Sequence, residues 1–328
     1  MTRGWPGHVE MMAGLPEYVS YGGLTTCPSP VNCTGSTLYA FFLSGDHACL
    51  RDLCTRVFGS PSSGAVDIRP ALSQVMLTFG EVEKIEPQMP PWSQMGYATE
   101  RQVALWIPVV RIRNLVPVQL GWFVPYMWVD NPLSLCGGRE IYGFNKAWGW
   151  IGLPREGAAA PFTLAAYGGD YDGNEPAGKH DLLSVTGPAS TLSVADEAPL
   201  SGLEDVVAAV QGALTSPGPA LADSVHFELA GTVFEQILRL GGPPQFYLRQ
   251  FRSIEDGLES DPQQITSSAI TLKRIEVRRL SGAYAFALNH LDSHPIGAEL
   301  GVEDQSPYLA LEMKSDFVLE NGTVLWQA

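Results

Sequence analysis

Lys146 is the residue of this sequence with the clearest capacity for chemistry. Four aromatic residues surround it in the run Tyr142, Gly143, Phe144, Asn145, Lys146, Ala147, Trp148, Gly149, Trp150. An apolar environment disfavours the ammonium form of a lysine, so a buried lysine can present a neutral amine near neutral pH. Such an amine attacks a ketone or an aldehyde and forms a Schiff base. The alternative is that Lys146 lays its stem on aromatic surface and keeps its head in water.

The four other lysines have the surroundings of ordinary surface charges. Lys84 stands among glutamates, Lys179 precedes His180 and Asp181, Lys273 precedes an arginine and Lys314 is close to Asp316. Lys146 is therefore the candidate nucleophile.

The elements that must position Lys146 are mostly short strands separated by glycine and proline. Alternation of polar and apolar residues is clearest from Ala269 to Val277, and this period of two is typical of a half-buried strand. The predicted strands are residues 38–43, 71–79, 103–110, 119–129, 162–167, 246–251, 265–278 and 309–319. Helical spacing predicts helices over 48–58, 203–214 and 222–240. The last two lie in a segment, about 178–242, that we interpret as an inserted lid or assembly element, or as surface decoration.

Three neighbouring motifs around Lys146 resemble the acetoacetate decarboxylase family. They are Asp130-Asn131-Pro132, Gly138-Arg139-Glu140-Ile141 and Gly143-Phe144-Asn145-Lys146. Upstream, the run from Gly96 to Glu100, followed by Trp106 to Val109, is similar to the family segment that carries the catalytic glutamate. The resemblance spans nearly the whole chain.

This resemblance implies a fold, an activity and a set of site residues. The fold is α+β and mainly antiparallel β: one domain over 1–328 with a curved β cone or barrel, peripheral helices and the helical insertion. Lys146 is implied as the Schiff-base nucleophile and Glu100 as the acid/base that shuttles protons. We expect the substrate to contact Ser36, Tyr97, Trp128, Arg139 and Tyr142. We expect no metal, no organic cofactor and a homo-oligomer.

Three residues depart from the family pattern. Ser36 stands where the family places an arginine that holds the substrate carboxylate, and Ala147 replaces a second lysine after the nucleophile. Asn145 precedes the nucleophile in place of proline, which frees a backbone N–H. Arg139 and Glu140 either reach the substrate or, as adjacent opposite charges in a turn, hold the backbone around them.

The predicted function is that of a Schiff-base-forming lyase acting on a keto acid, with decarboxylation as the family's namesake reaction. An aldolase-dehydratase or a cyclase in a natural-product pathway is an alternative, in which an aldehyde is also a partner. A second alternative is a binding protein of the same fold that keeps the aromatic cavity and has lost catalysis.

Composition and charge exclude other classes of partner. The net charge of −15 argues against nucleic acid, which is bound through clustered lysine and arginine, and against an anionic membrane surface. No run approaches the length of about twenty apolar residues that a bilayer span needs. The start of the chain lacks the pattern of a signal peptide, and the five cysteines are irregularly spaced. We therefore expect a cytoplasmic protein with reduced thiols.

Overall fold

Strands dominate the computed structural model, which describes residues 16–19, 26–154, 161–187 and 244–328. Within these ranges twelve strands pair into one sheet. The strands are β1 (Val31–Ser44), β2 (Asp67–Pro70), β3 (Gln74–Pro87), β4 (Ala98–Arg113), β5 (Val116–Val129), β6 (Lys146–Gly152), β7 (Phe162–Gly168), β8 (Gly178–Thr186), β9 (Gln245–Arg252), β10 (Ser260–Arg279), β11 (Ala285–Leu288) and β12 (Leu309–Gln327).

Seven of the strands pair with one another in a ring. The order of the sheet is β11, β8, β7, β6, β5, β9, β10, β12, β1, β3, β4, β2, and β5 also pairs with β4. Seven neighbours therefore follow one another in a ring: β1, β3, β4, β5, β9, β10 and β12. The pairings are antiparallel except for β5 with β6 and β5 with β9, which are parallel. The predicted mainly antiparallel α+β class is confirmed for the described residues, and the cone or barrel stays a prediction.

The strands predicted from the sequence are present, and four more accompany them. β2, β6, β8 and β11 were not predicted because they are short or carry charged and polar residues. The first residues of the segment interpreted as an insertion over about 178–242 form β8, which pairs with β7 and β11. The helices predicted over 203–214 and 222–240 lie outside the described residues.

Three short α-helices accompany the sheet in the described ranges: α1 (His47–Cys54), α2 (Pro132–Gly137) and α3 (Ile296–Leu300). The sequence predicts α1 as part of a helix over 48–58, and a π-helical turn over Thr55–Gly59 does continue it. The carboxylate of Asp46 accepts hydrogen bonds from the backbone N–H groups of Ala48 and Cys49. This capping fixes where α1 begins.

The largest group of buried side chains lies on one face of the sheet, under α1 and α3. It is rich in aromatic rings, such as Phe41, Phe79 and Phe162, which pack edge to face or tilted. A smaller buried cluster includes Met127, Tyr142 and Phe144, next to Lys146. In the described ranges, no helix has the length and apolar character to cross a membrane.

Candidate active site

Lys146 is the first residue of β6 and is only 7% exposed. A π-helical turn over Gly138–Tyr142 continues α2, and the chain then reverses at Gly143 to enter β6 beside β5. The lysine side chain lies against Gly138, where a Cβ atom would come within 2.7 Å of Lys146 Cδ and 3.2 Å of Nζ. The absence of a side chain at this glycine creates the space that the amine occupies.

The amine has three close neighbours that together define its position. Lys146 Nζ donates a hydrogen bond to Ser134 Oγ at 2.7 Å and lies 3.5 Å from Glu100 Oε2. It also lies 5.2 Å from the centre of the Phe144 ring. Glu100 is 5% exposed, and its Oε2 forms no hydrogen bond with the described residues. A buried carboxylate oxygen facing a buried amine can exchange protons with whatever binds between them.

Asp130 and Asn131 connect the two elements that carry the partners of the amine. The Asn131 Oδ1 atom caps the first turn of α2, while its Nδ2 donates to the Thr99 carbonyl at 2.8 Å. The Asp130 carboxylate accepts from the Arg101 N–H at 2.7 Å. Both residues that flank Glu100 are therefore tied to the start of α2, which fixes the carboxylate of Glu100 relative to the helix.

Arginine side chains hold the turn that leads into β6. Arg139 donates to the carbonyl of Lys146 at 3.0 Å, and Arg249 donates to the carbonyl of Glu140 at 2.6 Å. Gly143 has φ +93°, and a Cβ atom there would lie 2.6 Å from the Arg249 Cα. The turn requires a glycine both for its backbone conformation and for this close approach.

Lys146 and Glu100 line a cavity of about 210 Å³. Most of the other lining side chains are hydrocarbon, and eight can form hydrogen bonds: Cys27, Cys33, Gln102, Trp106, Ser134, Tyr142, Gln245 and Ser315. Burial, with a smaller contribution from Glu100 that Lys146 opposes, raises the pKa of Cys33 to about 12. Burial also raises the pKa of Tyr142 above its usual value. Both groups are therefore neutral near pH 7, and in the described part of the chain Lys146 and Glu100 supply the amine and the carboxyl group of the lining.

Two of the residues predicted to contact substrate lie at or beside this cavity. Tyr142 lines it and is 4% exposed. Ser36 is 1% exposed, and its Oγ has no hydrogen-bond partner among the described residues. Ser36 pairs across the sheet with Ser315 on one side and Val82 on the other, and both of these line the cavity.

The three other residues predicted to contact substrate lie away from this cavity. Tyr97 is 61% exposed at the surface, where Lys84 lies over its ring. Trp128 is fully buried against Tyr126 on the opposite face of β5, because it follows Met127, which points into the cavity. Arg139 lines a second cavity of about 390 Å³ on the other side of the turn, so it acts on the backbone of Lys146.

Two of the four aromatic residues expected around Lys146 line the cavity. Phe144 and Tyr142 belong to the cavity, whereas Trp148 and Trp150 are 39% and 40% exposed and do not line it. The sequence analysis missed Ser134, the hydrogen-bond partner of the amine. The signal was the Asn131-Pro132 helix start, which places Ser134 in the first turn of α2, one turn before Gly138.

The fold assembled from these elements is that of acetoacetate decarboxylase and the enzymes similar to it. The chain is similar to the acetoacetate decarboxylase of Legionella pneumophila, with 17% identity, 97% of this chain and 93% of that chain covered, and a TM-score of 0.57. It is also similar to an acetoacetate decarboxylase-like enzyme from Sphingomonas wittichii, with 14% identity, coverage of 96% and 100%, and a TM-score of 0.57. The resemblance found in the sequence is thereby confirmed at the level of the fold.

A third similar structure belongs to a biosynthetic enzyme. It is the enduracididine biosynthesis enzyme MppR, complexed with the condensation product of pyruvate and imidazole 4-carboxaldehyde. The identity is 13%, the coverage is 91% of this chain and 90% of that chain, and the TM-score is 0.53. No model of a protein family matches this sequence, and no curated protein matches it either.

Proposed function

We propose that this protein is a lyase that forms a Schiff base between Lys146 and a small carbonyl compound. The observation that carries the proposal is the buried amine at a cavity wall, 3.5 Å from the Glu100 carboxylate and hydrogen-bonded to Ser134. A nucleophile paired with a proton-transfer group and oriented by a third side chain is the arrangement expected for covalent catalysis. The fold supports the proposal, because similar structures include decarboxylases.

The first step joins the amine to the substrate. The Nζ lone pair forms a bond to the carbonyl carbon, while the C=O π electrons move to oxygen and one amine proton follows them, which gives a carbinolamine. The carboxylic acid form of Glu100 then protonates the hydroxyl group, which leaves as water, and Glu100 becomes a carboxylate. The nitrogen lone pair forms the C=N bond and the nitrogen keeps its second proton, which gives a positively charged iminium.

The iminium then withdraws electrons from the adjacent carbon–carbon or carbon–hydrogen bond. In a β-keto acid this releases carbon dioxide, which is decarboxylation. In a ketone or aldehyde, the Glu100 carboxylate removes a proton from the adjacent carbon, and the resulting enamine attacks a second carbonyl compound. The small neutral side chain of Ser36 beside the cavity favours the second reaction, as does the fold shared with MppR, whose bound ligand is a condensation product.

Deuterium exchange into acetone tests the proposal without knowledge of the natural substrate. In heavy water, an enzyme that forms an iminium and then an enamine replaces the methyl protons of acetone with deuterium, which proton NMR detects. We expect exchange well above the protein-free rate for the wild type. Lys146→Arg keeps the positive charge but stays protonated, so it should lose exchange entirely.

Glu100→Gln provides the second arm of this experiment. It matches Glu100 in size and cannot transfer a proton, so exchange should fall by about a hundredfold. Exchange by folded Lys146→Arg at the wild-type rate, or no exchange by the wild type, would contradict the proposed function.

A further inference from the structure

We infer that the substrate is a ketone or aldehyde whose carbonyl carries an uncharged apolar chain of several carbons. This inference rests on the proposed function and names the substrate class of the same site. It replaces the keto acid that the sequence analysis expects with a compound that has no carboxylate beside the carbonyl.

The cavity wall consists of rows of residues, each row made of residues that pair across neighbouring strands. The rows change from polar to hydrocarbon along the strands. The row that contains Glu100 continues through Val82 and Ser36 to Ser315, across β4, β3, β1 and β12. Three of its four members are polar. The reacting carbonyl group of the substrate belongs beside this row, because Glu100 faces Lys146 here.

The next row toward the start of β1 is mainly hydrocarbon. It runs from Leu272 through Phe317, Cys33 and Ile85 to Ala98, across β10, β12, β1, β3 and β4. All five residues line the cavity. The Cys33 thiol in the middle of the row is neutral near pH 7, because burial raises its pKa.

A second hydrocarbon row lies beyond the first. It joins Ile270, Leu319, Val31 and Pro87, which also line the cavity. Val82 and Pro87 are five positions apart in β3, which corresponds to about 16 Å along an extended strand. The hydrocarbon wall is therefore long enough for a chain of several carbons that starts at the level of Lys146.

These hydrocarbon side chains are only half-buried in the structure. Val31, Ile85, Ile270, Leu272 and Leu319 keep part of their surface exposed while they line the cavity. An apolar ligand that covers them gains the free energy of burying both surfaces. An alkyl chain attached to the carbonyl carbon of the substrate would lie against these side chains and bury them.

A carboxylate on the carbonyl carbon would meet a like charge instead. It would lie in the same cavity as the carboxylate of Glu100, which already faces the Lys146 amine at 3.5 Å. Two carboxylates in one buried site repel each other. The charge pattern thus selects against keto acids, and the hydrocarbon rows select for an apolar chain.

Deuterium exchange along a series of methyl ketones tests this inference. The probes are acetone, methyl propyl ketone and methyl pentyl ketone, with 2-oxoheptanoate as the acid that replaces the methyl group of the last ketone with a carboxylate. We expect the KM for exchange to fall about three- to fourfold for each added methylene, as burial of a methylene predicts. The acid should have a KM at least about tenfold above that of its matched ketone.

Adjacent residues of β10 supply a matched pair of variants. Leu272 lines the cavity and is half-buried, whereas Thr271 is exposed and points to the other face of the strand. Leu272→Gln should reduce the dependence of the KM on chain length. Thr271→Gln should keep both properties unchanged.

The outcomes separate the inference from the function on which it rests. Exchange of acetone with no gain along the ketone series, or a lower KM for the acid than for its ketone, would overturn the inference and leave Lys146 catalysis intact. The same would follow if Thr271→Gln abolished the chain-length dependence and Leu272→Gln did not. Exchange of none of the probes would overturn the proposed function itself.

Discussion

The residues around Lys146 act by leaving room for the amine as much as by contacting it. Gly138 creates the space in which the side chain lies, and Ser134 and Glu100 fix the position of Nζ within it. Lys146 and Glu100 could be predicted because the sequence around each resembles a motif of a known family. Lys146 stands among aromatic residues, and Glu100 precedes an apolar strand. Ser134 could not be predicted, since its hydrogen bond to Lys146 depends on how α2 packs beside β6.

Gly138→Ala should remove activity without unfolding the protein. Gly138 has right-handed helical dihedral angles, which alanine adopts easily. The new methyl group would displace the Lys146 side chain, and a shift of about 1 Å at a catalytic group can cost about a hundredfold in rate. The rate of acetone deuteration and the melting temperature measure the two effects.

Gly137→Ala is the matched control, because nothing lies within 4 Å of a Cβ atom at that position. It should leave the exchange rate unchanged. Equal rates for the two variants would show that the space beside Gly138 is not required.

Ser134→Ala should slow exchange by about tenfold, since the lost hydrogen bond contributes up to about 1.5 kcal/mol. The amine would keep its place against Gly138 but lose the acceptor at 2.7 Å that orients it. Ser134→Thr retains the hydroxyl group and should recover most of the rate. If Ser134→Ala exchanges acetone as fast as the wild type, Ser134 has no part in orienting the amine.

At the scale of elements, the link between α2 and β4 holds Ser134 and Glu100 in place beside the Lys146 amine. Asn131 performs two tasks with one side chain: its oxygen caps α2 and its nitrogen binds the backbone beside Glu100. In the sequence, the Asp130-Asn131-Pro132 motif is identifiable only as part of a family resemblance. Its physical role depends on the packing of β4 beside α2, which the sequence alone does not specify.

Asn131→Asp separates these two tasks. The aspartate keeps the acceptor for the helix cap but loses the donor to the Thr99 carbonyl, so exchange should fall several-fold while the free energy of unfolding changes little. Asn131→Ala loses the cap as well and should lower the free energy of unfolding by about 1 kcal/mol more. Urea unfolding and acetone deuteration of both variants give the comparison. A wild-type exchange rate for Asn131→Asp would show that the link to β4 does not position Glu100.

At the scale of the whole molecule, the ring of seven strands depends on one short parallel pairing. β5 and β9 share only the partners Trp122 with Gln245 and Phe123 with Phe246. The strands themselves were largely predictable, because their alternation of apolar residues is local. This pairing was not, since it joins residues more than 120 positions apart through the backbone contact of Gly121 with Pro244.

Gly121→Ala should weaken this closure. A Cβ atom at Gly121 would lie 2.3 Å from the Pro244 carbonyl oxygen, so the backbone must move, at a cost of about 2 kcal/mol in the free energy of unfolding. Gly322→Ala, in β12, meets only ordinary contact at 3.6 Å and should change stability by less than about 0.5 kcal/mol. Similar unfolding midpoints for the two variants would mean that the β5–β9 contact is not critical to the ring.

The central claim is that Lys146 forms a Schiff base, and borohydride trapping tests it most directly. Reduction in the presence of methyl pentyl ketone should leave a stable secondary amine on the peptide that contains Lys146, detected by mass spectrometry. Lys84, Lys179, Lys273 and Lys314 are internal controls within the same sample and should remain unmodified, as should the folded Lys146→Arg variant. An unmodified Lys146 peptide in folded wild-type protein, or equal labelling of all five lysines, would contradict the account.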